Sequence, residues 1–256
     1  MKDPTDYNVR AVERALQILS SFDDQHPERG LSDIAQEVDL HKATTHRIVT
    51  TLVNYGFLER ADDNQKYRLG LRLTDLGFKA IRRMDLRREA LPYMRQLTQQ
   101  LQEACDLSIL DRGNVFYIEF VQAERTLTVS AAVGQRLPTY CTASGKLFLA
   151  NLPSNELDAI LSGPMIAYTQ KTITSSARLR QQFEEIRRQG YAVDDEELEV
   201  GICAVSAGIR NQPGNVIASI SVPGPTSRMT TERIPQIAAA LKETADLISR
   251  RMGWNP

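Results

Sequence analysis

The stretch 31–69, LSDIAQEVDLHKATTHRIVTTLVNYGFLERADDNQKYRL, constrains the fold more than any other part of the chain. Leu31, Ile34, Ala35 and Val38 recur at helical spacing. They predict a short amphipathic helix, entered through Ser32 as N-cap and left at Asp39. A second helix is expected over 42–55, with Ile48, Val49, Leu52 and Val53 as its apolar stripe and Thr45 a turn earlier. Gly56 closes it, because glycine enters the left-handed conformation at a helix end without steric cost. Segments 57–60 and 66–69 then flank the polar turn Asp62-Asp63-Asn64-Gln65 as the arms of a β-hairpin. Helix, tight turn, helix and hairpin in this order specify a winged helix-turn-helix.

With that stripe inward, the 3.6-residue period turns Ala43, His46, Arg47, Thr50 and Asn54 outward. Lys42, Thr44, His46 and Arg47 gather near the start of the second helix. Small, hydrogen-bonding and cationic groups placed there reach base edges and phosphates in a major groove about 12 Å wide. An ordinary helical hairpin with a solvated polar face carries the same stripes. Arg60, Lys66 and Arg68, on or beside the β-hairpin where phosphate contacts would fall, tip the reading toward DNA. The formal net charge of −1 hides an asymmetry in the same direction. Residues 1–39 carry four basic groups against nine acidic ones, and residues 40–83 carry nine against four.

A length of 256 residues suits two domains or one large one. No signal peptide and no apolar run of spanning length is visible, so a cytoplasmic protein without membrane contact is expected. Cys105, Cys141 and Cys203 are odd in number and widely spaced, which reads as reduced thiols. His26, His41 and His46 are the only histidines. The chain beyond residue 46 therefore cannot build a Ser-His-Asp, Cys-His or His-rich zinc site, and no metal or cofactor is expected.

Val9, Val12, Leu16, Leu19 and the segment 20–22 form the expected inner face of a first helix over 9–22, and 23–30 reads as a loop. Helices are expected over 71–81 and 86–104, the latter with Pro92 near its start or at a kink. The domain division reads as 1–76 for the winged helix, 77–88 for a helical linker and 89–256 for a second domain. In that second domain, 107–111 and 115–121 flank the turn Arg112-Gly113-Asn114, and 127–131 alternates like a strand. Segment 134–142 reads as a loop and 143–152 as a short helix opened by Ser144 and Gly145. Helices over 155–161 and 175–189, a strand over 191–194, and strands over 202–209 and 216–222 around Asn211-Gln212-Pro213-Gly214-Asn215 follow. A helix over 231–252 closes the chain. Hairpins with grouped helices between them predict an α+β domain, an antiparallel sheet carrying helices.

Three stretches here invite chemical readings. Thr142-Ala-Ser-Gly-Lys146 is not a P-loop, since Leu147 replaces the required Ser or Thr and the earlier glycine spacing fails. Its backbone N–H groups at a helix start could instead hold a small anion, against the simpler reading of a plain helix start. Asp194-Asp-Glu-Glu197 reads as a solvated acidic turn, and Cys203 beside Ala204, Ser206 and Gly208 as a packed strand cysteine.

Taken together, Val12-Glu-Arg-Ala-Leu-Gln-Ile-Leu19, Leu31-Ser-Asp-Ile-Ala35, His41-Lys-Ala-Thr-Thr-His-Arg-Ile-Val-Thr-Thr-Leu52 and Tyr67-Arg-Leu-Gly70 resemble the N-terminal signature of the IclR family of bacterial transcriptional regulators. Thr142 to Ala150, Arg188 to Glu197, Gly201 and Ser219-Ile-Ser-Val-Pro-Gly-Pro225 resemble its C-terminal signature. The resemblance covers nearly the whole chain. It implies a GAF-like effector domain behind the winged helix, homodimers formed through the DNA-binding half and often paired into tetramers, and double-stranded operator DNA as partner. It also implies a small organic molecule that tunes operator binding, with Ala143, Ser144, Asp194, Ala204 and Ser221 lining its pocket. Where the family often places cysteine second after an Arg or Ser, this chain has Cys203 followed by Ala204, which moves the cysteine to the opposite strand face.

The physical expectation for that pocket is a small organic acid. It would lie between the sheet and the loop 134–145, its carboxylate on the N–H groups of Ala143 and Ser144, with Ser206, Ser219 and Ser221 on the floor and Tyr140 and Cys141 as a partly apolar wall. A ligand-responsive transcription factor is thus the favoured class. The alternative is a small-molecule-binding protein or enzyme that uses its helix-turn-helix as an interaction module. The absence of any catalytic spacing argues against an enzyme.

Overall fold

A computed structural model of the protein describes residues 9–23, 25–61, 65–82, 85–125, 129 and 132–255, the side chains of 78–82 and 85 excepted. The chain divides into two compact units, 1–83 and 84–256. In the first, α1 (Arg10–Ser20), α2 (Leu31–Glu37), α3 (Lys42–Asn54) and α4 (Leu71–Arg82) accompany a three-stranded antiparallel sheet whose first strand falls between α1 and α2. The sheet order is β1 (Glu28–Gly30), β3 (Lys66–Leu69), β2 (Leu58–Arg60). Ile18, Ile34, Val49, Leu52, Leu58 and Tyr67 make the core of this unit. Fully burying each aliphatic side chain of this kind contributes about 1.5–3 kcal/mol. Gly56, at φ +74°, ends α3 as its left-handed stop.

Three local expectations need correction in this unit. The loop 23–30 ends in a strand, because β3 offers its second edge and Glu28–Gly30 pairs with it. The N-cap of α2 is Gly30 and not Ser32: the Asp33 carboxylate reaches back to accept the Gly30 N–H at 3.2 Å, so the cap sits two residues earlier. Val9, Val12 and Leu16 do not face inward; they are 64%, 56% and 58% exposed, while Ala15, Ile18, Leu19 and Phe22 meet the core. The wing turn at 62–64 lies outside the described residues, as does most of the strand expected over 127–131.

The second unit is the expected α+β domain. Its six strands run antiparallel in the order β6 (Arg136–Pro138), β5 (Asn114–Val121), β4 (Cys105–Asp111), β9 (Val216–Pro225), β8 (Ile202–Arg210), β7 (Tyr191–Asp195). Arg112 and Gly113, at φ +50° and +79°, form the tight turn joining β4 to β5. Segment 134–142 contributes β6, where its residues pair with β5, and so is only partly loop. One face of the sheet, carrying Leu107, Val205, Ile220 and Val222, packs against α5 (Asp85–Leu101) and α9 (Ile234–Arg251) through Met94, Leu97, Leu241 and Ile248. α5 continues through Pro92. Near its end the buried Glu103 carboxylate accepts two bonds from Arg228 at 2.7 Å and one from Arg233 at 2.9 Å, which ties the start of β4 to the approach to α9.

α6 (Ala143–Asn151) and α8 (Ser176–Gln189) cover the other face, and α7 (Ser154–Leu161) joins their core, with Leu149, Leu157, Leu179 and Phe183 at its centre. α6 is entirely buried along its first eight residues. It is opened by Thr142, whose hydroxyl accepts the Gly145 N–H at 3.2 Å, and not by Ser144 and Gly145. Gly145 has a steric duty instead: a Cβ there would stand 2.2 Å from the Thr139 carbonyl oxygen, so only glycine lets the helix start lie against that loop.

Candidate DNA interface and ligand pocket

The apolar stripe of α3 places its polar face. Thr45, Val49 and Leu52 are buried, Ile48 and Val53 half-buried, and Lys42, Ala43, His46, Arg47, Thr50 and Asn54 exposed. Lys42, His46 and Arg47 therefore stand on one open face of the helix, while Thr44 is half-buried at its margin. α1 adds cations to this face. Arg10, Arg14, Thr44, His46, Arg47 and Thr51 line an open groove of about 730 Å³ between α1 and α3. Reading the sequence missed Arg10 and Arg14, because α1 was assigned by its apolar residues alone. Their i, i+4 spacing was the available signal.

The wing cations do not share one face. Arg60 lies opposite Tyr67 in register, on the core side, with its guanidinium 5.8 Å from the ring centroid. Lys66 and Arg68 alternate with Tyr67 and take the other face. Arg68 stands in register with Glu59 on one side and Glu28 on the other. Its Nε donates to Glu59 at 2.7 Å. Two carboxylates beside Arg68 offset its charge locally, whereas Lys66 is exposed at the wing end of β3.

In the second unit a cavity of about 290 Å³ lies between the sheet and the start of α6. Ala143, Ser144, Asp194, Ala204 and Ser221 all line it. The register explains the convergence: Asp194 pairs with Ala204, Ala204 with Pro223, and Ser221 with both Ser206 and Asp106. The Thr142 cap takes up the Gly145 N–H, and the Lys146 N–H bonds the Thr142 carbonyl. The N–H groups of Ala143 and Ser144, first in α6, have no acceptor among the described residues. Two parts of the expected pocket are elsewhere. Tyr140 turns away, exchanging hydrogen bonds with the backbone of Ile166, and Cys141 is fully buried off the cavity. Tyr117, Leu137, Leu198 and Ile202 supply the wall in their place. Ser206 and Ser219 lie beneath the floor, and Ser219 donates to Ser144 at 3.0 Å.

The cavity is acidic. Asp106, Asp194 and Glu199 line it, and among the described residues no lysine or arginine does. Burial pushes the Asp106 carboxyl up to about 8, against a hydrogen bond from Ser221. Burial likewise pushes Asp194 up to about 7, opposed chiefly by the Glu197 N–H, which donates to it at 2.8 Å.

The turn after Asp194 departs most from its sequence reading. It is not a solvated acidic turn: Glu197 is 4% exposed and pairs with Lys146, itself 1% exposed on α6. Gln182 of α8 accepts a further Lys146 bond at 3.3 Å. Desolvation raises the Glu197 carboxyl and the Lys146 charge opposes it. One residue thus links the two walls of the cavity, since the Glu197 N–H holds Asp194 while its carboxylate holds α6 through Lys146.

A winged helix with an open cationic face on its second helix, joined in one chain to an α+β unit that encloses a small polar cavity, is the architecture of a DNA-binding transcriptional regulator. Residues 11–62 match the IclR helix-turn-helix domain and 78–250 the C-terminal domain of the bacterial transcriptional regulator IclR, so the chain belongs to the IclR family. It is 33% identical over 247 residues to the HTH-type transcriptional regulator XynR of Escherichia coli, covering 96% of this chain and 98% of that protein. IclR of Thermotoga maritima superposes with a TM-score of 0.74 at 30% identity, over 96% of this chain and 100% of that one. An IclR homologue of Microbacterium hydrocarbonoxydans, solved in complex with 4-hydroxybenzoate, gives 0.82 at 28% identity, over 95% and 99%. The family consists of transcriptional regulators and not enzymes. Among the described residues no helix is long and apolar enough to cross a membrane.

Proposed function

We propose that the protein is a cytoplasmic transcriptional regulator that binds a near-palindromic operator as a homodimer and changes its affinity when a small organic acid enters the cavity of the second unit. The observation that carries the ligand class is the pair of N–H groups of Ala143 and Ser144 at the start of α6, unused among the described residues and belonging to two residues that line that cavity. A helix N-terminus favours an anion by about 0.3–1 kcal/mol even when exposed, and this one is buried. The Microbacterium homologue's 4-hydroxybenzoate is an acid of this kind. Asp194, Ala204 and Ser221 complete the contacts, Ser221 as donor or acceptor and Asp194 as a hydrogen-bonding carboxyl.

On the DNA side, Thr44, His46 and Arg47 read base edges, Lys42 takes a phosphate at the helix start, and Arg60 and Lys66 take phosphates at the wing. Arg68, already engaged by Glu59, contributes less than its sequence position suggests. The exposed apolar row of Val9, Val12 and Leu16 on α1, with Leu71 and Leu76 on α4, supports a dimer contact through these helices. Pairing of dimers into tetramers follows from the family resemblance alone.

The test is a thermal-shift screen of organic acids on the full chain, repeated for the best ligand on Ser221→Leu and Asp194→Ala. A shift that disappears in both variants supports the site. A shift undiminished in both would place it elsewhere.

A further inference from the structure

The floor of the cavity carries a buried polar patch that the chain itself does not satisfy. Asp106 on β4, Ser221 on β9 and Ser206 on β8 stand in one row across the sheet, and Ser108 and Ser219 lie in the next. All five are buried. Ser219 is engaged by Ser144, and Ser221 by one oxygen of Asp106. Ser206 Oγ, Ser108 Oγ and Asp106 Oδ1 have no partner among the described residues. Of these three residues only Asp106 lines the cavity. A buried carboxyl with one oxygen unbonded costs the fold its desolvation penalty and returns nothing while the cavity is empty. A core position without a ligand would be better filled by an apolar side chain.

We infer that Asp106 is a ligand-contacting residue, and that with Ser221 it holds a hydroxyl group at the end of the ligand away from its carboxylate. This deepens the acid reading above and rests on it. The choice of a hydroxyl follows from charge. A second carboxylate would meet Asp194 and Glu199, with no lysine or arginine in the wall among the described residues. An ammonium would look for an anion at Asp106, whereas burial favours the uncharged form of that carboxyl. A protonated carboxyl offers one donor and one acceptor, which is what a hydroxyl matches. The cavity of about 290 Å³ holds roughly ten water volumes, which sets a compact hydroxy acid as the size.

Calorimetry on the full chain with matched acids that differ only by the hydroxyl tests the inference. 4-Hydroxybenzoate against benzoate and 4-hydroxybutyrate against butyrate are suitable pairs. Wild type should prefer the hydroxylated member of at least one pair by tenfold or more in Kd, since a site built to bond a hydroxyl penalises the analogue lacking it. Asp106→Leu should bring the hydroxylated acid down to the affinity of its partner, and Asp106→Asn should keep part of the preference. Ligand-free Asp106→Leu should melt no lower than wild type, because the acid serves the ligand and not the fold. Equal affinities in wild type, a preference that survives Asp106→Leu, or a large loss of ligand-free stability in that variant would overturn the inference while leaving the acid reading intact. Binding of amines or neutral polyols with no binding of any acid would overturn both.

Discussion

Replacing Lys146 by Met removes the ammonium from the Lys146–Glu197 pair and keeps most of the stem volume. Both partners are almost completely enclosed, with side chains 1% and 5% exposed. Glu197 Oε2 already lacks a partner among the described residues. Without Lys146 the whole carboxylate is stranded, and Gln182, at 3.3 Å from the Lys146 ammonium, loses its donor. Removing one member of a buried pair costs about 3–5 kcal/mol, against about 0–1 for an exposed one. In a domain of this size about 1 kcal/mol moves the melting temperature by roughly 2–4 °C, so Lys146→Met should melt about 6–20 °C lower. The double variant Lys146→Met/Glu197→Leu should recover most of that loss, because no charge then remains buried. Urea unfolding of wild type, both single variants and the double variant closes the cycle. A single-variant cost below about 1 kcal/mol, or a double variant no better than the sum of the singles, would refute the reading of a desolvated pair.

Three further outcomes are expected. Arg47→Ala should lose about 1–3 kcal/mol of operator affinity and relax base selectivity, whereas Lys66→Ala should weaken all sequences alike and reduce the salt dependence; fluorescence anisotropy on operator and scrambled DNA measures both. Leu16→Asp, which places a charge in the exposed apolar row of α1, should shift the protein toward monomer in light scattering and weaken operator binding, while a wild type that is monomeric with and without DNA would remove the dimer from the account. Asp106 and Asp194 have folded values raised above their ordinary 3.8, so their burial carries no charge penalty below about pH 4 and costs increasing stability as pH rises from there through about 7 for Asp194 and about 8 for Asp106. Ligand-free wild type should therefore lose about 1.4 kcal/mol per pH unit for each such group between about pH 5 and 6, and Asp106→Asn should flatten its share of that slope in urea unfolding.

The α3 face was legible because a 3.6-residue period needs only the apolar positions to place the polar ones, and Val49 and Leu52 settle the phase. The sheet was legible for a similar reason. Its turns carry glycine at Gly113 and Gly214 where left-handed backbone is required. What escaped was long-range pairing. Asp106 lay just ahead of the expected strand 107–111, and only the β4–β9 register sets it beside Ser221. Glu197 looked solvated because its partner, Lys146, is 51 residues away on a helix whose burial the sequence does not show. Arg68 looked free until the three-strand register put carboxylates on both sides of it. In α1, the apolar periodicity was real, but part of it faces outward, which a monomer's sequence pattern does not distinguish from core.

The central claim is that ligand occupancy in the second unit changes DNA affinity in the first. The direct measurement is the affinity of the purified protein for the DNA flanking its own gene, by anisotropy at fixed salt, with and without a saturating acid from the thermal-shift screen. The account predicts specific binding to a site of two half-sites about one helical turn apart and a change of about 5–150-fold on adding the acid, a shift that Ser221→Leu abolishes. An operator affinity that stays the same at saturating ligand would contradict it.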